Sequence, residues 1–175
     1  KQKIIDGGLR TIKLGKDLKK KYFKPRMEKG LNQFLIRDKY IKKYGFSLLS
    51  NSFLDILSDE FRGKKIIEVG SGSGWLAHNL QKKGIDIVAT DINVQKNSYG
   101  FVEKFTDVLE VDSKEFIKNN NYDCILMSWP DYSTSFAYNI LKNMKINKTL
   151  IYIGESYGGC TADDNFFDLL EQKAV

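Results

Sequence analysis

The sequence predicts an α/β domain built on a mostly parallel sheet with helices on both faces. Three observations carry that prediction. Beyond Gly63, short apolar runs alternate with segments of helical spacing across short connections. The first run leads directly into a loop with glycine at alternate positions, and the second ends on a carboxylate. Residues 1–62, by contrast, have helical spacing and few strand signals. They read as a helical N-terminal cap of the same domain that residues 63–175 complete, because no Ser/Gly linker separates the two parts.

Taken in order, Leu9, Ile12 and Leu18 lead into a lysine-rich segment that ends near Pro25. The spacing then predicts a helix over 27–44. Its mostly apolar stripe of Leu31, Phe34, Leu35, Asp38 and Ile41 is expected to bury against the rim of the crevice. Gly45 punctuates that helix, and Ser50 or Asn51 caps a shorter one through Phe53, Leu54, Ile56 and Leu57 to Phe61. Strands are expected over 65–69, 85–90, 108–111, 122–128 and 149–154, with helices over 75–83, 113–118, 135–143 and 163–173. In sheets of this kind ligands bind outside the carboxyl ends of the strands, where strand order reverses. The strand tips are therefore where a site is sought.

Composition removes many chemistries. A chain of 175 residues, 42% hydrophobic and 29% charged, has ordinary globular usage and needs no disulfide or metal to build a core. One histidine and two cysteines are too few for a multi-histidine or cysteine-based metal centre, so no metal is expected. The same cysteine usage suggests a reduced, cytoplasmic setting. No apolar run approaches the roughly 18 residues of a membrane span, and no membrane partner is expected. The net charge of +6 is uneven. Residues 1–45 carry 15 Lys/Arg against 4 Asp/Glu, a net of +11, and the remainder carries −5. That asymmetry is compatible with a nucleic acid or another anionic partner. Its bland alternative is the solvated face of a helix.

The loop after the first strand reads Glu68-Val69-Gly70-Ser71-Gly72-Ser73-Gly74-Trp75. Alternate glycines after a strand permit a tight turn with positive φ and let a ligand lie on bare backbone at a helix start. A dinucleotide fingerprint would place its third glycine where Trp75 stands, and a P-loop would need a following Gly-Lys-Ser/Thr. Neither is present. Asp91 falls 23 residues beyond Glu68 at the next strand tip, where a carboxylate can accept both hydroxyls of a ribose. Asp112 and Ser113 follow the third strand, where they can meet an adenine amino group. Singly, these acids have plain readings: Glu68 as a loop cap, Asp91 as a turn former, Asp112 as a helix N-cap.

In combination the series resembles the class I S-adenosylmethionine (SAM) dependent methyltransferases, whose first motif has the form acidic-x-Gly-x-Gly-x-Gly. The resemblance covers about residues 63–155 and implies a Rossmann-like fold with SAM, or its product S-adenosylhomocysteine, as cofactor. It implies that Glu68, Gly70, Ser71, Gly72 and Gly74 form the loop at the methionine end. Asp91 would take the ribose and Asp112 with Ser113 the adenine, while Ile92, Tyr44 and Ser128 complete the cofactor set. A complete sheet of that family has seven strands, and the last two find no counterpart here after the fifth run.

The fourth strand ends Ser128-Trp129-Pro130-Asp131-Tyr132. This is similar to the Asn/Asp/Ser-Pro-Pro-aromatic motif of amino-directed methyltransferases, with Trp for the polar residue and Asp for the second Pro. The likeness marks Trp129, Asp131 and Tyr132 as catalytic candidates, against a plain role in packing. Glu155 after the fifth strand joins them as a carboxylate able to bind an amine or act as a base. Trp-Pro-x-Tyr, Gly154-Glu155 and Gly158-Gly159-Cys160-Thr161-Ala162-Asp163-Asp164, with Tyr44-Gly45-Phe46-Ser47 upstream, resemble an uncharacterised methyltransferase-like subgroup and supply no substrate. Thr161 reads as the N-cap of the last helix, His78 as a surface or supporting residue, and Cys124 as core. The function expected is methyl transfer from SAM to a nucleic acid or other anionic acceptor. A small-metabolite acceptor, or a SAM- or nucleotide-binding module without catalysis, are the alternatives.

Overall fold

The computed structural model describes residues 30–94 and 103–173, with backbone alone for 30–34. The lysine-rich segment, the residues Leu9 to Pro25, and the side chains of Leu31 and Phe34 therefore lie outside the described residues. Helix α1 (Gly30–Tyr44) carries Lys42 and Lys43 in its last turn, where cations suit the helix dipole. It stops at Gly45, which takes φ 99° and donates its N–H to the Ile41 carbonyl at 2.9 Å. The expected apolar stripe is corrected here. Ile41 is buried at 5% exposure, but Leu35 is 57% exposed and Asp38 is exposed too. Among the described stripe residues of α1, Ile41 alone is buried, so periodicity overstated the packing at Leu35 and Asp38.

Helix α2 (Asn51–Phe61) starts at Ser50, whose hydroxyl accepts the Phe53 N–H. It buries Leu54, Leu57, Ser58 and Phe61, the spacing of one helical face. Five strands follow: β1 (Lys65–Val69), β2 (Asp86–Asp91), β3 (Val108–Glu110), β4 (Cys124–Ser128) and β5 (Thr149–Ile153). Helices α3 (Trp75–Lys82), α4 (Ser113–Asn119), α5 (Phe136–Asn143) and α6 (Asp164–Lys173) connect or follow them. Among the described residues these strands pair in parallel throughout, in the order β3-β2-β1-β4-β5. This is the α/β Rossmann-like architecture expected, with element ends shifted by a residue or two.

The central strands β1 and β4 are mostly apolar because both faces are covered, with Glu68 the buried exception. Ile66 and Leu126 join a core with Leu54, Leu57, Leu76 and Leu80 on one side. Ile67, Val69, Ile125 and Met127 face Ile117, Ile140, Leu141 and Phe166 on the other. Cys124 is core, and burial pushes its thiol up to about 11. At the start of α6 the expected Thr161 cap is replaced by Asp163, whose Oδ1 accepts the Phe166 N–H at 3.2 Å. Thr161 is instead buried in the preceding loop. No helix among the described residues is long and apolar enough to cross a membrane.

Candidate functional site

Parallel register aligns the strand tips. Leu109, Thr90, Val69, Met127 and Tyr152 form one row across the sheet. One residue further on, Asp91 pairs with Glu110 and Ser128 with Ile153, and Gly70 follows directly on the end of β1, the strand between β2 and β4. Chain order reverses between β1 and β4, so Gly70 stands at the switch point with Asp91 on one side and Ser128 on the other.

All three loop glycines take positive φ: 67° at Gly70, 55° at Gly72 and 71° at Gly74. Gly74 also permits close approach of the segment before β3. A Cβ there would stand 2.8 Å from the methyl carbons of both Thr106 and Val108. Gly74→Ala is therefore expected to destabilise the fold by about 2 kcal/mol, from left-handed strain plus overlap. A urea titration checks this; an unchanged midpoint would show that the loop shifts freely. Ser71 stitches the loop to β2: its N–H donates to the Thr90 carbonyl and its Oγ accepts the Thr90 N–H. Asp91 accepts the Gly72 N–H at 2.8 Å through Oδ2 and the Asn93 N–H at 2.9 Å through Oδ1. Ile92 beside it is exposed.

Asp112 caps α4 with Oδ1 at 2.8 Å from the Lys114 nitrogen, and Ser113 buries its hydroxyl 2.9 Å from Thr90 Oγ1. Glu68 lies beneath the loop, 2% exposed, with Oε2 unpartnered. Burial pushes its carboxyl up to about 8; Ser71 and the Ala77 amide pull it back, and nearby Asp91 adds to the rise.

Tyr44 reaches the loop from α1. Its carbonyl accepts the Ser73 hydroxyl at 3.1 Å, and its ring lies 4.7 Å from Trp75 and stacks on Phe105. The Phe105 N–H donates to the Ser73 carbonyl at 2.9 Å, so the segments at Tyr44 and Phe105 clamp the glycine loop together. The indole Nε1 of Trp75 is buried without a partner. His78 stacks on Trp75. Sequence reasoning missed Ser73 and Phe105. Ser73 carried a signal, as a small polar residue inside the loop; Phe105 carried none.

Beyond β4, the Ser128 hydroxyl contacts that of Ser47. Trp129 holds φ 50° although it is neither glycine nor asparagine, and its N–H donates to the Ile153 carbonyl at 2.7 Å. Its ring lies nearly parallel to Phe46, centroids 6.3 Å apart. Together with α1 residues these rings line a cavity of about 250 Å³. Asp131 is turned into its own loop, accepting the Ser133 N–H and hydroxyl at 2.8 Å, and Tyr132 is exposed.

Glu155 is likewise folded into a loop: its Oε2 accepts the Cys160 N–H at 2.6 Å and its N–H donates to Thr161 Oγ1 at 2.7 Å. The Tyr152 hydroxyl donates to the Glu155 carbonyl at 3.0 Å. A Cβ at Gly159 would overlap Glu155, and one at Gly154 would stand 2.6 Å from the Tyr152 hydroxyl. The Gly-Glu and Gly-Gly-Cys-Thr motif is thus a tightly wound loop around Glu155. A separate cavity of about 240 Å³ lies before the amino end of β5, and its lysines are engaged: Lys145 with the Asn120 carbonyl, Lys173 with that of Leu141.

No family model matches the sequence, and no curated protein matches it at a significant level. Among solved structures, the chain is similar to one described as a SAM dependent methyltransferase from Archaeoglobus fulgidus, at 18% identity and TM-score 0.43. The match covers 67% of this chain and 53% of that one, so this chain spans about half the length of that protein. The Rossmann-like assignment rests on the strand order and register themselves, which bring Asp91, the glycine loop and Ser128 to one edge of the sheet.

Proposed function

We propose that this domain binds SAM at the carboxyl edge of β1 and β2 and transfers its methyl group to an anionic acceptor at the edge of β4. The observation that supports this reading most is the positive-φ glycine loop that follows β1 at the switch point, flanked by Asp91 at the end of β2 and Ser128 at the end of β4. The residues present fit the cofactor. Gly70 at the switch point is exposed, and Glu68 Oε2 beneath the loop is a buried oxygen without a partner.

In this reading Asp91 takes the ribose hydroxyls, Ile92 offers an apolar surface beside them, and the 70–74 loop receives the methionine end. Asp112 and Ser113 sit at the adenine end with their side chains already serving α4 and Thr90 and the Asp112 carbonyl accepting the Phe116 N–H, which leaves their backbone N–H groups for recognition. When bound, SAM supplies a methyl on a sulfonium that an unprotonated lone pair can attack, the sulfur keeping the bonding pair. The protein's own contribution is orientation and exclusion of water. The aromatic group Tyr44, Trp75 and Phe105 offers faces that attract a cation and shield it. Ser128 and Ser47 place hydroxyls at the β4 tip, where an acceptor proton can be passed to solvent. Asp131, Tyr132 and Glu155 belong to the loops that frame the acceptor side.

An anionic acceptor fits the net +11 of residues 1–45, of which Arg37, Lys39, Lys42 and Lys43 lie on α1. Calorimetric titration with SAM and S-adenosylhomocysteine tests the cofactor, and transfer of labelled methyl to nucleic acid and metabolite pools tests the reaction. Tyr132→Ala is expected to lower turnover several-fold while cofactor affinity stays within a few-fold. Loss of cofactor binding together with unfolding would assign Tyr132 to packing.

A further inference from the structure

The cavity at the tips of β4 and β5 has features that the cofactor reading does not use. Its walls are Phe46, Phe53, Trp129 and Ile153, with Arg37 and Tyr40 contributed by α1. Phe53 and Ile153 are anchored against the buried core, so these walls are firm. The Phe46 and Trp129 rings lie within 20° of parallel. Trp129 adopts a left-handed backbone directly before a proline, two conditions that a bulky residue does not meet without strain. Glycine would relieve that strain, yet this position carries the largest of all side chains. Strain of this kind persists where the side chain's placement matters for function. Arg37 is exposed whereas Ile41 is buried, so the guanidinium marks the mouth of the cavity. No ion pair among the described residues engages Arg37.

We infer that this cavity binds a small planar aromatic anion, its ring on the Trp129 indole and its acidic group at Arg37. The volume of about 250 Å³ suits one or two fused rings and is small for a nucleotide with its phosphate chain. Ser47 lines the cavity and touches Ser128, the last residue of β4, and β4 pairs with β1 up to the residue before the glycine loop, so the inner end of the cavity lies toward the cofactor edge. Resting on the reading above, such a molecule is the methyl acceptor. The apolar walls supply the burial of the ring, and the guanidinium selects the anion over its neutral analogue.

The test uses the full chain with 2-naphthoate and its neutral analogue 2-naphthamide, followed by NMR shift titration. Saturable binding of naphthoate is expected. Arg37→Gln, a change at an exposed position, should weaken naphthoate about tenfold and leave naphthamide within about twofold. Trp129→Asn, whose side chain tolerates the left-handed backbone, should weaken both by about tenfold or more, with the melting temperature measured alongside. Absence of saturable binding to the wild type overturns the inference, as does equal loss of both probes in Arg37→Gln. An RNA oligonucleotide that binds where naphthoate does not would overturn it in favour of a nucleic-acid acceptor. A parallel titration with S-adenosylhomocysteine separates the two readings. Naphthoate binding without it sinks the cofactor assignment alone, and the reverse result sinks only the aromatic site.

Discussion

Replacing Glu68 with Gln is expected to leave stability nearly unchanged at pH 5 and to raise it by about 3 kcal/mol at pH 9, relative to the natural residue. Glu68 is 2% exposed and its carboxyl is pushed up to about 8, from 4.5, chiefly by burial. Its folded pKa therefore lies above the unfolded one. The contribution to stability is fully present below about pH 4.5 and is lost as pH rises through about 8. Between those values the folded state holds a proton that the unfolded state has released, so stability falls by about 1.4 kcal/mol per pH unit. Relaxation around an ionised carboxylate and the amide's own need for partners reduce the full value to about 3 kcal/mol. Urea titrations of both proteins at pH 5, 7 and 9 read the effect as a difference, in which the other titrating groups cancel. A difference that does not grow with pH would mean that Glu68 is solvated through the loop.

Asp91→Ala is expected to weaken binding of S-adenosylhomocysteine by about 2–3 kcal/mol, roughly 30- to 150-fold. Two losses combine. The carboxylate's charge-assisted bonds to a ribose disappear, and Gly72 loses the acceptor that now sets its N–H at 2.8 Å. Asp91→Asn retains the shape and one acceptor oxygen, so it should fall between the variant and the natural protein. Thermal melts of the same variants separate the loop's contribution from the ligand's. Unchanged affinity in Asp91→Ala would remove the ribose assignment and, with it, the nucleoside orientation proposed for this edge.

The chain's local chemistry determined a good deal by itself. Strands in a covered parallel sheet are short apolar runs, which is why β1, β2, β4 and β5 were legible, while the three residues of β3 were only faintly so. Ser50 and Gly45 marked helix ends because orphaned amides and carbonyls accept few partners there. The three glycines announced a positive-φ loop because few other residues tolerate one.

Contacts distant in sequence left no such trace. The clamp of Tyr44 and Phe105 on Ser73, and the contact of Ser47 with Ser128, join residues 29 to 81 positions apart. Glu155 read equally as a crevice carboxylate and as a loop residue, and the loop folds its own Cys160 amide onto it. Leu35 read as core because periodicity reports which face of a helix is apolar and not what that face meets. The sequence alone thus determined the order of the elements and the residue types at their ends, since caps, turns and apolar runs are local free-energy choices. Only the tertiary structure decided which ends share an edge, how deeply Glu68 lies, and that Trp129 is held against its backbone preference, because register, burial and strain arise from the packing of the whole domain.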